Sequence, residues 1–423
     1  MDKFIIEGPT PLNGTIPISG SKNAALPLMA AAILGDSPTT ITNVPKLRDI
    51  YTFNNVIRVT GTHVTFDEDE GVLTIDPANL AHLEAPYELV RKMRASFYML
   101  GALLGRFGKA KVSLPGGCAW GPRPVDLHLN GMREMGANIR LEEGYVIADA
   151  PKKMEGGTFA LEPSSVGATI NLVLASVLRA REFTIENAAK EPDVVLLCKK
   201  LVEMGADIEG VGTRTLTIRA VDRLEGIQIR NAADRIETGT FMIAAAMHPE
   251  SDVTLEGVNV KDLGQFPATF EKTGAELITG DNTIQVIAPE TLRPTDVTTE
   301  TYPGFPTDLQ AQWSTMMTQA EGTSTVTDTI YYDRFSYVPE VTRLGADMDV
   351  TENRVAIEGK TPLKGASVMS TDLRASVSLV LAGMIARGRT DVLRIYHLDR
   401  GYEDLEHKLN AVGARIERTK QEE

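Results

Sequence analysis

The apolar positions of this chain form a pattern that repeats. Six times, a stretch rich in Ala, Leu, Met, Ser and Thr, apolar on most sides, is followed by a short alternating β-like run. A polar loop and a more amphipathic stretch come next, and the latter ends at a glycine. The all-round apolar stretches read SKNAALPLMAAAIL, MRASFYMLGALLG, SVGATINLVLASVL, RIETGTFMIAAAM, PTDLQAQWSTMMTQA and DLRASVSLVLAGMIA. Helices apolar on most sides are buried ones, so these six are expected inside their domains, packed on one another. The β-like runs are TTITNV, AKVSLP, FTIENA, VTLEGV, STVTDT and DVLRIY. The amphipathic helices end in RVTGTHV, REMGANI, VEMGADI, EKTGAEL, TRLGADM and NAVGARI. Their glycines (Gly61, Gly136, Gly205, Gly274, Gly345 and Gly413) are spaced by 75, 69, 69, 71 and 68 residues. A glycine just past a helix supplies the left-handed conformation that ends it.

Six copies of one α/β unit of about 70 residues thus account for nearly the whole chain. The segment IEGPTPLNG from Ile6 returns as IEGKTPLKG from Ile357, an offset of 351 residues, or five periods. Short hairpin-linked strands alternating with helices predict mixed sheets facing solvent with helices inside. Six units divide most simply as three plus three, giving two domains with a cleft between them. By periodicity alone the N-terminal strand pair fits either domain.

Composition narrows the function. At 423 residues the chain has room for two or three domains. A net charge of -14 and a pI near 5.1 argue against a nucleic-acid or anionic-membrane surface. A small anionic substrate stays open, provided Lys and Arg gather locally. Two cysteines and six scattered histidines give no disulfide framework and no metal-ligand spacing, so a reducing compartment is expected. Neither the phosphate-loop nor the dinucleotide fingerprint occurs. The N-terminus lacks the long apolar region of a signal peptide and no run of eighteen apolar residues occurs, so a cytoplasmic location without membrane insertion is expected.

The polar residues with chemical potential recur at two places in the unit. One is the start of the buried helix: Lys22 and Asn23, Arg94, Ser165 to Gly167, Asp234 to Glu237, Asp308, and Asp372 with Arg374. The other is the loop after the β run: Lys46, Arg48 and Asp49, Cys118 with Arg123 and Asp126, Glu191 and Asp193, Lys261 and Asp262, Asp333 and Arg334, Asp399 and Arg400. Capping accounts for Ser21, Thr307 and Asp372. It does not account for Lys22 or Arg94, because a cation at a helix N-terminus is unfavourable, and these suggest a bound anion. The competing reading is that such Arg–Asp pairs are salt bridges between repeats. Asp308 and Asp372 are the carboxylates in this cationic set, either one a candidate general base. Cys118 sits in the Gly- and Pro-rich loop LPGGCAWGPRPVDLH, five residues from Arg123, which favours a reactive thiolate. A small apolar packing role is the alternative there, and it is the expected one for Cys198 on its amphipathic helix. Trp120 and Trp313 read as packing or loop anchors. His128 and His397 lie near the candidate site, or simply hydrogen-bond locally.

The ordered set SKNAALP, LPGGCxxGxRPVDLH, ENAAxEPD, DRIETGT, FPTDxQAQ, TDLRASxSLVLAG and RIYHxDRGYE resembles the family of UDP-N-acetylglucosamine enolpyruvyl transferases, from about Phe4 to Arg418. The shikimate-pathway enolpyruvyl transferases are the near alternative, and lack this cysteine loop. The resemblance implies an inside-out α/β barrel of two domains, each of three repeated units. It assigns residues 22–232 to the first and 1–21 plus 233–423 to the second, with the active site in the cleft. It implies transfer of the enolpyruvyl group of phosphoenolpyruvate to the 3′-hydroxyl of UDP-N-acetylglucosamine with release of phosphate, committing the sugar to peptidoglycan. By the same resemblance Cys118 is the general acid, Asp308 the base, and Asp372 matches the side of the cationic, tetrahedral intermediate. Lys22, Arg123 and Arg400 match contacts to the phosphate and carboxylate of phosphoenolpyruvate, and Asn23 lies at the sugar end. Arg94, the segment Arg123, Pro124, Val125, Asp126 and Leu127, then Ser165, Val166, Gly167 and Ile330 match the nucleotide-sugar contacts. Arg48, Glu191, Arg334 and Arg374 are further candidates. No metal, cofactor, nucleic acid or obligate protein partner is implied. Arg48 stands where the family often has lysine, and Tyr332-Asp333 where Glu-Asn is frequent. The stretch YTFNNVIRVTG is atypical of the helix usual there. A non-catalytic ring-like clamp of six α/β units is the reading from another class, and a paralogue that binds without turnover is a third.

Overall fold

The computed structural model describes residues 2–115 and 125–420. Cys118, Trp120, Arg123 and Pro124 therefore lie outside the described residues. The chain divides into two compact units, Gly20–Ala232 and a second made of Met1–Ser19 with Ala233–Glu423.

The described residues contain six four-stranded sheets, three in each unit, and all six share one plan. In the third sheet along the chain, strand Met154–Ala160 lies parallel to Ala180–Glu186. Strand Thr215–Arg219 runs antiparallel to Ala180–Glu186 and then to Asp207–Glu209. One parallel pair and two antiparallel pairs recur each time, and in four of the six sheets the parallel pair is made across a helix. This is the mixed sheet that the alternation of short β runs and helices predicts.

The apolar helices lie inside as expected. In helix Lys22–Ala32 every residue except Asn23 is buried, and Ser21 caps it by accepting the Ala24 N–H. Helices Tyr98–Phe107 and Val166–Ser176 approach so closely that side chains are excluded at the crossing. A Cβ on Gly101 would lie 2.4 Å from the Asn171 carbonyl oxygen, and one on Gly105 2.2 Å from that of Leu174. The six signature glycines all have positive φ, between 92° at Gly61 and 114° at Gly413, which is why glycine stands there. The atypical stretch after Asp49 still folds as helix Arg48–Arg58, because Ile50, Phe53, Val56 and Ile57 keep one buried face.

Each unit encloses its own apolar core. Trp313 is fully buried among Phe266, Phe270 and Phe305 and donates its indole N–H to the Thr295 carbonyl at 3.1 Å. It is a packing residue. So is Cys198, whose thiol is pushed up to about 12 by burial. Among the described residues no helix is long and apolar enough to cross a membrane.

One feature of the connectivity is invisible to the period. Strand Asn13–Pro17 precedes helix Lys22–Ala32 in sequence, yet it pairs with Asp252–Glu256 in the second unit. Strand Gln228–Arg230 precedes helix Arg235–Ala246, yet it pairs with Thr39–Thr42 in the first. The two leading strands are exchanged. Strand Asp2–Gly8 in turn lies between Gly388–Leu393 and Ile416–Lys420, so both N-terminal strands belong to the second unit.

Candidate active site

In the unit of residues 20–232 the polar side chains collect at the starts of buried helices. Lys22 is only 9% exposed, and its Nζ lies 3.0 Å from Asp49 Oδ2. Asp49 sits in the first turn of helix Arg48–Arg58, which Arg48 opens. The cation at this helix start therefore has a protein counter-charge in Asp49. Asn23 is exposed beside it. The Ser21 hydroxyl donates to Asp193 at 3.2 Å, and Glu191 directly precedes that helix, Pro192–Glu203.

Arg94 opens the short 3-10 helix Arg94–Phe97, one turn ahead of helix Tyr98–Phe107, so its charge is set back from the longer helix's terminus. His128 is 5% exposed; burial, then the nearby Arg94 guanidinium, push its imidazole down to about 3. Its tautomer follows from its partner. Asn171 Nδ2 faces both the Phe97 carbonyl at 3.1 Å and His128 Nδ1 at 2.9 Å, while Asn171 Oδ1 accepts the Gly101 N–H. The amide donates in both directions, so Nδ1 accepts and the proton resides on Nε2. That edge of the ring lies against Gly167, where a Cβ would come within 3.4 Å. Ser165 caps helix Val166–Ser176 by accepting the Ala168 N–H, and Val125 to Leu127 start helix Asp126–Met135. His128 thus hydrogen-bonds locally, one of the two readings the sequence left open.

In the second unit the charges are concentrated on one carboxylate. Asp308 lies in the 3-10 helix Thr307–Leu309 that leads into helix Gln310–Met317. Arg334 Nη1 lies 2.7 Å from its Oδ1 and Arg374 Nη2 2.9 Å from its Oδ2. Burial alone would raise the proton affinity of this carboxyl. The guanidiniums of Arg374 and Arg334 outweigh that and hold it well below the ordinary carboxylate range. Arg374, 5% exposed, also donates to the Tyr402 hydroxyl at 3.1 Å, and Thr240 and Gln312 complete that network.

Two more carboxylates in this unit are structural in their contacts. Asp372 caps helix Leu373–Ile385: its Oδ1 accepts the Arg374 and Ala375 N–H groups, and Oδ2 accepts from Ser336 and Thr371. Asp328 is fully buried and accepts from the hydroxyls of Thr299 and Thr307 and the N–H groups of Ile330 and Tyr331. Ile330 itself is 36% exposed. Arg400 is half-buried at the end of the 3-10 helix Ile395–Arg400.

The structure therefore brings Asp308, Arg334 and Arg374 into direct contact, and separately Lys22 with Asp49. Asn171 and Asp328 were not singled out from sequence; Asp49 was named only within the Arg48 cluster, and Thr307 only as a cap, which it does not form. FPTDxQAQ contains Thr307, but nothing local marks it as the partner of a carboxylate 21 residues on. Among the described residues no group of three or more His, Cys, Asp or Glu is arranged to hold a metal ion. What the second set can do is keep one carboxylate ionised beside two fixed cations, ready to take a proton from a hydroxyl.

A family model described as EPSP synthase (3-phosphoshikimate 1-carboxyvinyltransferase) matches residues 6–409. UDP-N-acetylglucosamine 1-carboxyvinyltransferase of Chloroherpeton thalassium is 51% identical over 99% of this chain and 97% of its own. The protein of that name from Pelodictyon phaeoclathratiforme is 49% identical over the full length of both chains. Among solved structures, the enolpyruvyl transferase NikO from Streptomyces tendae superposes with a TM-score of 0.90 at 26% identity, covering 99% of each chain. An EPSP synthase from Acinetobacter baumannii shares the fold, with a TM-score of 0.79 at 20% identity over 99% of this chain and 100% of its own.

Proposed function

This chain belongs to the EPSP synthase family of enolpyruvyl transferases, and from that membership we propose that it transfers the enolpyruvyl group of phosphoenolpyruvate to the 3′-hydroxyl of UDP-N-acetylglucosamine, releasing phosphate, the step that commits the sugar to peptidoglycan. The observation that carries this reading is the 51% identity across essentially the whole chain to a UDP-N-acetylglucosamine 1-carboxyvinyltransferase. The ionised Asp308 between two guanidiniums supports it chemically.

In the addition step the sugar oxygen forms a bond to C2 of phosphoenolpyruvate while its proton passes to Asp308. Cys118 delivers a proton to the C3 methylene. In the elimination step C3 gives up a proton and the C2–O bond to phosphate breaks, restoring the double bond in the product. Asp308 is ionised at any working pH, so it is always in the accepting form, though its two arginines make it a weak base. Lys22, Arg123 and Arg400 neutralise the phosphate and carboxylate of phosphoenolpyruvate, the charge stabilisation that lowers this kind of barrier. Asn23 acts at the sugar end, where the two substrates meet, and Asp372 on the side of the cationic, tetrahedral intermediate. Arg94, Arg123 to Leu127, Ser165 to Gly167 and Ile330 hold the nucleotide sugar. The reading carries with it a cytoplasmic location and no nucleic-acid or obligate protein partner.

The deciding measurement is phosphate release from phosphoenolpyruvate with UDP-N-acetylglucosamine or shikimate 3-phosphate as acceptor, for the native chain, Cys118→Ser and Asp308→Asn. Release with the nucleotide sugar alone is expected, about 100-fold or more slower in either variant. Release with shikimate 3-phosphate instead would move the chain to the reaction its family model is named for. Full activity in Cys118→Ser would keep the reaction and reassign the acid.

A further inference from the structure

We propose that Asp328 is a positioning residue for this reaction, one that holds Arg334 on Asp308 through Thr307 and sets the backbone carrying Ile330 by the same carboxylate. The inference rests on the reading of Asp308 as the proton acceptor and of Ile330 as a nucleotide-sugar contact.

The Thr307 hydroxyl has a single proton to place. Thr307 Oγ1 lies 2.6 Å from Asp328 Oδ2 and 3.0 Å from Arg334 Nη1. A carboxylate only accepts and a guanidinium only donates, so the Thr307 proton goes to Asp328 and its lone pair faces Arg334. Arg334 Nη1 is then shared between the Thr307 oxygen and Asp308 Oδ1 at 2.7 Å. The other oxygen, Asp328 Oδ1, accepts from the Thr299 hydroxyl at 2.7 Å, the Ile330 N–H at 2.9 Å and the Tyr331 N–H at 2.8 Å. The Asp328 backbone is fixed on both sides by Asn353. One buried carboxylate thus closes the turn before Ile330 and orients the hydroxyl that steadies the cation of Asp308. A buried carboxylate is costly to keep, and four donors converge on it to offset that cost. The charged and titratable groups facing Asp308 are Arg334 and Arg374, with Asp328 behind the first, and Tyr402 and Asp234 behind the second.

Asp328→Asn makes the argument testable. Its NH2 has to face Thr307, since the other side already receives three donors. Thr307 then accepts from both sides, and its own proton loses the carboxylate that received it, so the hydroxyl is no longer held against Arg334 by a charged acceptor. Asp328→Asn and Thr307→Val are each expected to lower kcat about 10- to 100-fold, the cost of a small displacement of a reacting group. Asp328→Ala, which also removes the acceptor of the Ile330 and Tyr331 N–H groups, should in addition raise KM for UDP-N-acetylglucosamine several-fold. Asp328→Asn and Thr307→Val should both move the acid limb of the kcat profile to higher pH, because a loosened Arg334 lets Asp308 bind a proton more readily. The double variant should lose no more kcat than either single one. Thr307→Ser should recover most of what Thr307→Val loses.

A readout independent of turnover is the 13C carboxyl resonance of Asp308, assigned with Asp308→Asn. In the native chain it should stay ionised to the acid limit of the fold, and in Asp328→Asn and Thr307→Val it should titrate at higher pH. Should the native chain release no phosphate, the functional reading fails and this titration alone decides the inference. If Asp328→Asn does not fold, Thr307→Val carries the test. An unmoved Asp308 titration in Thr307→Val, or additive losses in the double variant, would overturn the proposal.

Discussion

The two units build one sheet plan three times each, yet they hold buried charge in different ways. Among the described residues, the unit of residues 20–232 shows a nearly buried lysine on one aspartate, and a histidine kept neutral chiefly by burial. The second unit gathers its charges, with Asp308 between Arg334 and Arg374, and Glu237 against Lys408 at 2.8 Å. Packing and topology are repeated because the period repeats them, while charge placement is set position by position. The difference suggests that chemistry was added to a common frame at particular residues.

The sharpest way to break this comparison is to remove one cation from each unit. Lys22→Met takes the lysine from a nearly buried Asp49 and should cost about 3–5 kcal/mol of stability. Arg374→Met leaves Asp308 with Arg334 and should cost about 1–3 kcal/mol, chiefly through the Tyr402 network. Urea denaturation of both variants gives the two numbers directly. Equal losses would mean that the gathered arrangement confers no redundancy.

A second contrast lies in the response to pH. His128 has its folded proton affinity depressed, so its contribution is complete above about pH 6.5 and is lost as the pH falls toward 3. Glu237 is pushed up to about 7 by burial, in spite of Lys408 beside it. The folded state then binds the proton more tightly than the unfolded one, and stability falls as pH rises from about 4.5 through 7. Melting curves from pH 5 to 8 should show His128→Gln flattening the acid side and Glu237→Gln the neutral side, by about 1–2 kcal/mol each. Slopes of the same sign would contradict the assignment.

The smallest effect should be one on which the units agree. Gly205 has φ 113° and Gly274 φ 97°, and a Cβ at either meets nothing closer than 3.4 Å. Alanine at each position should therefore cost only the conformational strain, about 1–2 kcal/mol, and the same in both units. Unequal losses would show that the signature glycines are not equivalent.

Much of the fold was legible because glycine at a helix end and apolar residues on most sides of a helix are local signals. Gly61 and Gly413 announce the same turn 352 residues apart without any knowledge of the surroundings. The exchange of strands Asn13–Pro17 and Gln228–Arg230 was not legible, since both alternate like any leading strand and choose partners far away. The candidate site divides along the same line. Asp308, Arg334 and Arg374 stand at the repeat ends where polar residues collect, and they could be named from their place in the unit. Asp49 was visible as a member of such a cluster, but its pairing with Lys22 crosses 27 residues and has no local mark. Asp328 is hidden in TVTDT, where it looks like an ordinary end of a strand.

The exchanged strands have a consequence for how the chain is made. At about 5–20 residues per second, strand Asp2–Gly8 leaves the ribosome roughly 20–80 s before its neighbours Gly388–Leu393 and Ile416–Lys420 exist. Strand Asn13–Pro17 waits about a quarter to three-quarters of a minute at most for Asp252–Glu256 at the same rates. The first unit can close as soon as residue 230 emerges, whereas the N-terminus must be carried past it as a nascent edge, open to wrong partners. Lys3 and Glu7, on either side of Ile5, keep one face of that waiting edge charged, the usual defence of an edge strand against sticking.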